Sequence, residues 1–267
     1  MCNKERASLD KLDKLIVFGR SNLDQININP DEELKLQVLY QMVGVAHNYT
    51  EAILFLAKEE KAEAGEVLIR SVLEGLITTM YVLEENTDIR AIEFILDDEI
   101  YRKKFATSWM KFIKKNPSYE KEIPELSTLE ECKEFIQERQ NNIQSVKKQY
   151  GKNLKQFPDL RCRAEKVDAA VGKNDLECYY LTVYRYLSGL AHLSASGTKG
   201  FIKQEGNRYF IKSESNPLDI KRLSEVAYVF YLWFLGQLSL HFGTPTEKEL
   251  KPFEDIIKKT NLEQSFE

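Results

Sequence analysis

Two short segments of the sequence combine residue types that could carry chemistry. In the first, R-Y-L-S-G-L-A-H, the residues Arg185, Ser188 and His192 recur at spacings of three and four. These spacings put all three side chains on one face of an α-helix. A guanidinium can hold a phosphate, and an imidazole can exchange a proton near neutral pH. The combination suits metal-independent RNA cleavage, in which the adjacent 2′-hydroxyl is the attacking group.

The second segment is Arg70-x-x-x-Glu74, which lies inside an otherwise apolar run. Residues four apart face the same way on a helix, and buried charges must be paired. The simplest interpretation is a structural ion pair, with Glu66 as a second partner one turn earlier. The alternative is that Arg70 and Glu74 line a polar pocket in the core.

The histidines also have structural explanations. The chain has three of them, so an arginine shortly before one of them arises readily by chance. His192 could cap its helix and bond a core carboxylate. His47 lies in an apolar run with Glu51 one turn later, which is typical of a core histidine with satisfied hydrogen bonds, and it is also a candidate binding residue.

Several function classes are disfavoured by what the sequence lacks. The four cysteines form no C-x-x-C pair and no Cys/His cluster with zinc spacing, so we expect no metal and no cofactor. A net charge of -4 gives no electrostatic footprint for duplex nucleic acid. The start, MCNKERAS, lacks the apolar core of a signal peptide, and we expect a cytoplasmic protein with reduced thiols.

Hydrophobic periodicity predicts an all-α fold, a multi-helix bundle of long antiparallel helices in a single domain over residues 1–267. The charged helix at about 127–150, with a capping box at Ser127 and Glu130, is expected as an outer wall or arm. An alternating pattern predicts one small β-hairpin near 200–212. The predicted helices cover about residues 4–26, 31–58, 62–85, 88–115, 127–150, 175–192, 217–242 and 246–259, and the stretch 151–173 is less regular.

One segment raises the question of a membrane span. Residues 226–242 contain no Asp, Glu, Lys or Arg, and their length is at the lower limit for crossing a bilayer. The segment also contains polar residues and many aromatic ones. We therefore expect a buried core helix rather than a membrane span.

Two stretches carry a family resemblance. The segments LIRSVLEGLITTMYVLEEN (68–86) and YRYLSGLAHLSASG (184–197) resemble a family of uncharacterised bacterial helical proteins, a domain of unknown function. The likeness runs over about residues 35–245, and its specific part is an R-x-x-x-E helix followed by an S-x-x-x-H helix. By similarity it selects four positions, Arg70, Glu74, Ser188 and His192.

The R-x6-H spacing of Arg185 and His192 also resembles the HEPN superfamily of helical ribonucleases and nucleotide-binding domains. Many active members have a small polar residue after the arginine, whereas this sequence has Tyr186. The resemblance implies RNA cleavage in which His192 is general acid or base and Arg185 stabilises the phosphate. Glu74 would then orient one of the two.

The leading interpretation is a non-catalytic binding or regulatory module, with a buried Arg/Glu/Ser/His network and a link to bacterial defence or stress. The HEPN-like ribonuclease is the alternative, so the sequence leaves open whether the protein is an enzyme. We expect an unidentified ligand or protein as partner, RNA only in the ribonuclease alternative, and no membrane; a homodimer is compatible with either. Exposure separates the two interpretations. In an enzyme, Arg185 and His192 should open onto a cleft or a dimer groove, whereas in the binding module they should be enclosed and fully bonded.

Overall fold

The computed structural model describes residues 3–28, 33–85, 87–151, 154–192, 201–206, 208–211 and 215–260. The described chain is predominantly helical, which confirms the all-α fold class. Its helices are α1 (Asn3–Leu23), α2 (Leu34–Lys58), α3 (Ala62–Leu83), α4 (Ile89–Lys115), α5 (Leu129–Tyr150), α6 (Leu160–Val171), α7 (Asp175–Tyr179), α8 (Arg185–Ala191), α9 (Pro217–Phe242) and α10 (Glu247–Thr260). A π-helical segment, Tyr180–Tyr184, joins α7 to α8, and two short 3₁₀ helices, Pro117–Glu122 and Pro124–Leu126, precede α5.

Contacts divide the chain into two compact units. One contains Met1–Glu84 and Asp159–Glu267, and the other contains Glu85–Pro158. A single domain over residues 1–267 stays a prediction.

The larger unit is built on α1, α2, α3 and α9, each of which packs against at least two of the others. Helices α6 and α8 pack on α3, and α10 packs on α9. The apolar stripes predicted from spacing form the core. Fully buried side chains from these helices include Leu12, Leu15, Leu39, Ile53, Ile69, Leu73, Leu76, Ile77, Phe230, Tyr231 and Phe234.

Both ends of α9 follow from its sequence. The Asn216 side chain accepts a hydrogen bond from the backbone N–H of Leu218, and Pro217 occupies the first turn, where its missing N–H costs nothing. Gly243 ends the helix with a φ of 68°, a left-handed conformation that glycine adopts without strain.

Among the described residues, α9 is the one helix long and apolar enough to cross a membrane by length and composition. Of its most apolar window, 67% is buried within the protein. This burial is what the core-helix interpretation of residues 226–242 predicts, because a spanning helix needs its apolar surface for lipid.

The larger unit also contains two four-residue strands, β1 (Ile202–Glu205) and β2 (Arg208–Ile211). They pair antiparallel, with Ile202 opposite Ile211 and Glu205 opposite Arg208. Gly206 in the connecting turn has a φ of 61°, which L-residues rarely adopt.

The smaller unit has a core of its own between α4 and α5. Its buried residues are Ala106, Ile113, Leu126 and Cys132, and partly buried aromatic and aliphatic side chains surround them. The indole N–H of Trp109 donates to the carbonyl of Leu126 at 3.0 Å, which ties the second 3₁₀ helix to α4.

The capping box of α5 begins one residue later than predicted. Thr128 Oγ1 accepts from the backbone N–H of Glu131 at 3.1 Å, and the Glu131 carboxylate accepts from the backbone N–H of Thr128 at 2.9 Å. Ser127 donates to the same carboxylate at 2.6 Å, so the predicted Ser127–Glu130 pair is wrong. Cys132, in the first turn of α5, is buried in the core of the smaller unit.

Helix α6 lies in the stretch 151–173 that we predicted as less regular. The Asp159 side chain accepts from the backbone N–H of Cys162 at 2.9 Å, and Gly172 ends the helix with a φ of 70°. Pro158 therefore precedes an N-cap rather than interrupting a helix.

A candidate functional site between helices α3 and α8

The centre of the site is Arg70, on a half-buried face of α3. Its Nε donates to Ser188 Oγ at 3.0 Å, and its Nη2 donates to the hydroxyl of Tyr184 at 2.8 Å. The guanidinium carbon also lies 4.7 Å from the centroid of the Tyr184 ring, within the range of a cation–π contact. Arg70 thus holds two residues of the π-segment and α8 at the same time.

Tyr184 also forms a hydrogen bond with Glu74. Its hydroxyl donates to Glu74 Oε2 at 3.3 Å while it accepts from Arg70. A phenol can do both, because it has one donor and acceptor lone pairs. The four residues, which we call the Arg70 cluster, are Arg70, Glu74, Tyr184 and Ser188.

The predicted direct ion pair between Arg70 and Glu74 is therefore wrong. The two charges are joined through the hydroxyl of Tyr184, and Glu66, the expected second partner, pairs instead with Arg222 of α9. The spacing of Arg70 and Glu74 could not show this, because Tyr184 lies 110 residues from Glu74 along the chain.

Burial raises the pKa of the Tyr184 phenol, and the nearby Glu74 carboxylate adds to this effect, while Arg70 opposes it. The phenol therefore keeps its proton at neutral pH, as its donor role requires. Tyr184 is then a neutral phenol that joins the Glu74 carboxylate to the Arg70 guanidinium, and it does not supply a phenolate nucleophile.

The π-helical segment sets the direction of these side chains. The backbone N–H of Arg185 bonds the carbonyl of Tyr180, and the rings of Tyr180 and Tyr184 stack with centroids 5.2 Å apart. Just before the segment, the Tyr179 ring makes edge contacts with two aromatic residues of α9, Phe230 and Trp233. Such wide turns occur often at functional sites, because the extra residue redirects side chains.

Arg185 and His192 have a different environment from the Arg70 cluster. Both side chains are exposed, and neither forms a side-chain hydrogen bond with another described residue. The backbone N–H of His192 bonds the carbonyl of Ser188 at 3.0 Å, so the helical turn continues to His192. Within the described residues, the structure brings Arg70, Glu74 and Ser188 together and leaves Arg185 and His192 outside that cluster.

Two expectations for these residues are wrong within the described chain. His192 bonds no core carboxylate, because its side chain is exposed. Glu74 orients neither Arg185 nor His192, since its observed side-chain contact is the hydroxyl of Tyr184. The buried network of the leading interpretation therefore contains Tyr184 in place of His192.

His47 belongs to a second network, at the contact of α1, α2 and α9. Its Nδ1 lies 2.6 Å from the hydroxyl of Tyr231, and its Nε2 lies 3.3 Å from Glu51, which pairs with Arg20. Because a carboxylate only accepts, Nε2–H donates to Glu51 and Nδ1 accepts from Tyr231 in the neutral imidazole. Burial is the main cause that lowers the pKa of His47, although Glu51 opposes it. His47 is thus a buried core histidine with both nitrogens bonded.

A cleft of about 1000 Å³ lies elsewhere in the larger unit, along α9 and α10. Its walls combine apolar residues with a few amides, hydroxyls and charged groups, among them Trp233, Gln237, Leu250 and Ile257. None of the predicted site residues lines it. Among the described residues, no group of three or more His, Cys, Asp or Glu could hold a metal ion.

Residues 36–210 match the model of DUF5677, a family of unknown function. The chain belongs to this family. The region matched to DUF5677 contains the Arg70 cluster, Arg185 and His192, whereas α1, α9 and α10 lie outside it. No curated protein and no solved structure matches the chain.

The DUF5677 region also contains the residue that the sequence analysis missed, Tyr184. One signal could have found it, because Tyr184 lies four residues before Ser188 and therefore on the same helical face. A tyrosine on the face that carries the predicted Ser188 is a natural partner for a half-buried arginine.

Proposed function

We propose that this DUF5677 protein is a non-catalytic binding or regulatory module that presents Arg185 and His192 to an anionic ligand. The observation that carries the proposal is the separation of the two residue sets. The Arg70 cluster is satisfied internally, while Arg185 and His192 are exposed and free of side-chain partners among the described residues.

The Arg70 cluster supports this role by fixing α8 on α3. Two hydrogen bonds and a cation–π contact from one arginine constrain both Tyr184 and Ser188. Arg185 directly follows Tyr184, and His192 lies four residues after Ser188. Both are therefore held in a defined direction. Their separation of seven residues is nearly two turns, or about 10.5 Å along the axis.

An oxyanion such as phosphate suits this pair. The guanidinium supplies several donors in a fixed plane, and a histidine side chain can add another donor. Exposure of both groups allows a ligand to arrive from solvent. A second protein presenting a phosphate or carboxylate would be held by the same chemistry.

Histidine NMR tests the proposal, because the chain has only three histidines. Inorganic phosphate titrated at constant ionic strength, with chloride as the balancing anion, should shift the imidazole signals of His192. The signals of buried His47 should stay in place, and Arg185→Ala should remove the His192 response. An unmoved His192 signal, or an identical shift in Arg185→Ala, would overturn the proposal.

Metal-independent RNA cleavage is a second candidate. It requires Arg185 and His192 to reach solvent, as they do, whereas a module that uses them only in a buried network would enclose them. Purified protein should then cut single-stranded RNA in EDTA and leave cyclic phosphate ends, with His192→Ala removing the activity. Loss of a general acid or base lowers a rate by about 100- to 10,000-fold. If wild-type protein leaves the RNA intact, the ribonuclease candidate is wrong and the binding module remains as the function of Arg185 and His192.

A further inference from the structure

The second half of α4 differs in charge from the rest of the chain. Residues 101–115 contain six basic residues and no acidic one, although the whole chain has a net charge of -4. This segment belongs to the smaller unit, whereas the Arg70 cluster and α8 belong to the larger unit.

Exposed aromatic rings lie among these cations. Tyr101 is 67% exposed, Phe105 46% and Phe112 42%, values well above those of core aromatics. Their spacings of four and seven residues put the rings on one side of α4, about 6 Å and 10.5 Å apart along the axis. With Lys104 and Lys111 they fall within an arc of about 120°, which we call the α4 face.

Neighbouring rings hold part of the α4 face in place. Phe112 stacks on Trp109 with centroids 5.4 Å apart and an interplanar angle of 24°. Tyr119 also contacts Phe112 edge-on at 5.4 Å and is itself 48% exposed. Rings fixed in this way lose little conformational entropy when a further flat group stacks on them.

The lysines of this segment are available to an anion. Lys104, Lys111, Lys114 and Lys115 are exposed and form no ion pair with a described residue. Lys114 and Lys115 lie in the last turn, where the helix dipole favours a cation. The dipole does not account for Lys104 and Lys111, which lie farther from the C-terminus of the helix.

Three of the four glutamates on the neighbouring helix α5 have partners other than the lysines of the α4 face. Glu131 closes the capping box, Glu130 pairs with Lys133, and Glu138 pairs with Arg139. Glu99, at the middle of α4, also pairs with Arg139, at 2.8 Å. The positive charge of the α4 face is therefore not cancelled by these carboxylates.

We propose that the α4 face binds single-stranded nucleic acid, with bases stacked on Tyr101, Phe105 and Phe112 and phosphates held by the flanking lysines. Aromatic rings on a basic surface are the two elements that sequence-tolerant binding of single strands requires. A duplex would leave the rings unused, because its bases are already stacked on one another. The occupant is therefore an unpaired strand, and the same surface accepts RNA or DNA.

Fluorescence anisotropy of labelled dT12 and U12 with the full-length chain in EDTA tests this inference. Wild type should bind at low salt. Phe105→Ala should weaken binding by roughly fivefold to 150-fold, the usual effect of losing one stacking ring. Lys111→Gln should reduce the slope of log affinity against log salt by about 0.7, the value for one phosphate contact of a single strand.

Phe55→Ala is the matched control, because Phe55 is a 64% exposed phenylalanine of the larger unit, and it should bind like wild type. An equal loss in Phe55→Ala and Phe105→Ala, or no binding by wild type at low salt, would overturn the inference. So would binding by the α4 face only to vesicles containing phosphatidylserine, or self-association that Phe105→Ala abolishes without any oligonucleotide binding. The response of His192 to phosphate does not depend on α4, so failure of either proposal leaves the other standing. A comparison of dT12 with U12 separates a preference for DNA from one for RNA.

Discussion

The hydroxyl of Tyr184 holds the opposite charges of Arg70 and Glu74 without direct contact between them. It accepts from Arg70 at 2.8 Å and donates to Glu74 at 3.3 Å. Residue types at helical spacing were enough to select Arg70, Glu74 and Ser188 for this part of the molecule. Helical spacing also places Tyr184 on the face of Ser188, but it could not show that the phenol joins Arg70 to Glu74, because long-range pairing depends on how α8 rotates against α3.

Removing this hydroxyl tests its role. Tyr184→Phe keeps the ring and leaves Arg70 and Glu74 each short of one hydrogen bond, so the free energy of unfolding should fall by about 1–3 kcal/mol. Urea unfolding can be followed by Trp233 of the larger unit in a Trp109→Phe background, since the chain has two tryptophans. Tyr186→Phe, at a 60% exposed tyrosine next along the chain, should change it by less than about 0.5 kcal/mol. Equal changes at both tyrosines would contradict the bridge.

His47 gives a prediction in pH. Burial, the largest cause, lowers its pKa in the folded state below the ordinary value of 6.5, despite the opposing Glu51. Between these two pKa values the unfolded chain binds a proton that the folded chain does not, so stability is present above about pH 6.5 and is lost as pH falls. Wild type should therefore lose more stability than His47→Gln between pH 7.5 and pH 5.5. An equal loss in both proteins would show that His47 is as easily protonated in the fold as outside it.

At the scale of the helices, the apolar periodicity predicted the long elements well, because α2, α3, α4 and α9 bury wide apolar arcs in a core. It predicted α6 and the capping box of α5 poorly. Both depend on single side-chain bonds, from Asp159 and Thr128, that compete with equally plausible neighbours in the sequence. It also predicted no π-segment, because the helix expected over residues 175–192 follows the 3.6-residue α-helical period throughout.

The close approach of α1 to α9 rests on a glycine. A Cβ at Gly19 would lie 2.0 Å from the hydroxyl oxygen of Tyr231, the partner of His47. Gly19→Ala should therefore lower the free energy of unfolding by about 1–3 kcal/mol, despite the better helix propensity of alanine. Gly44 in α2 has no atom within 4 Å of such a Cβ, and Gly44→Ala should raise it by about 0.5–1 kcal/mol. Thermal unfolding of the two variants checks the pair, and stabilisation by both would mean that α1 and α9 are not closely packed.

At the scale of the whole molecule, the chain joins a four-helix core unit to a smaller unit with its own core. The region matched to DUF5677 runs through both units, and each presents exposed cations of its own, on α8 and on α4. Composition gave only the net charge of -4, which conceals the basic segment 101–115. A charge balance summed over the chain cannot show which face carries the positive residues.

Helix α8 carries two kinds of residue, those that hold it in place and those that it presents to solvent. The free energy of unfolding of His192→Ala distinguishes the two. Because His192 is exposed and bonds no described side chain, we expect a change of less than about 0.5 kcal/mol in the Trp109→Phe background. A loss of about 1–3 kcal/mol, the cost of leaving buried polar partners unbonded, would contradict it and return His192 to the buried network.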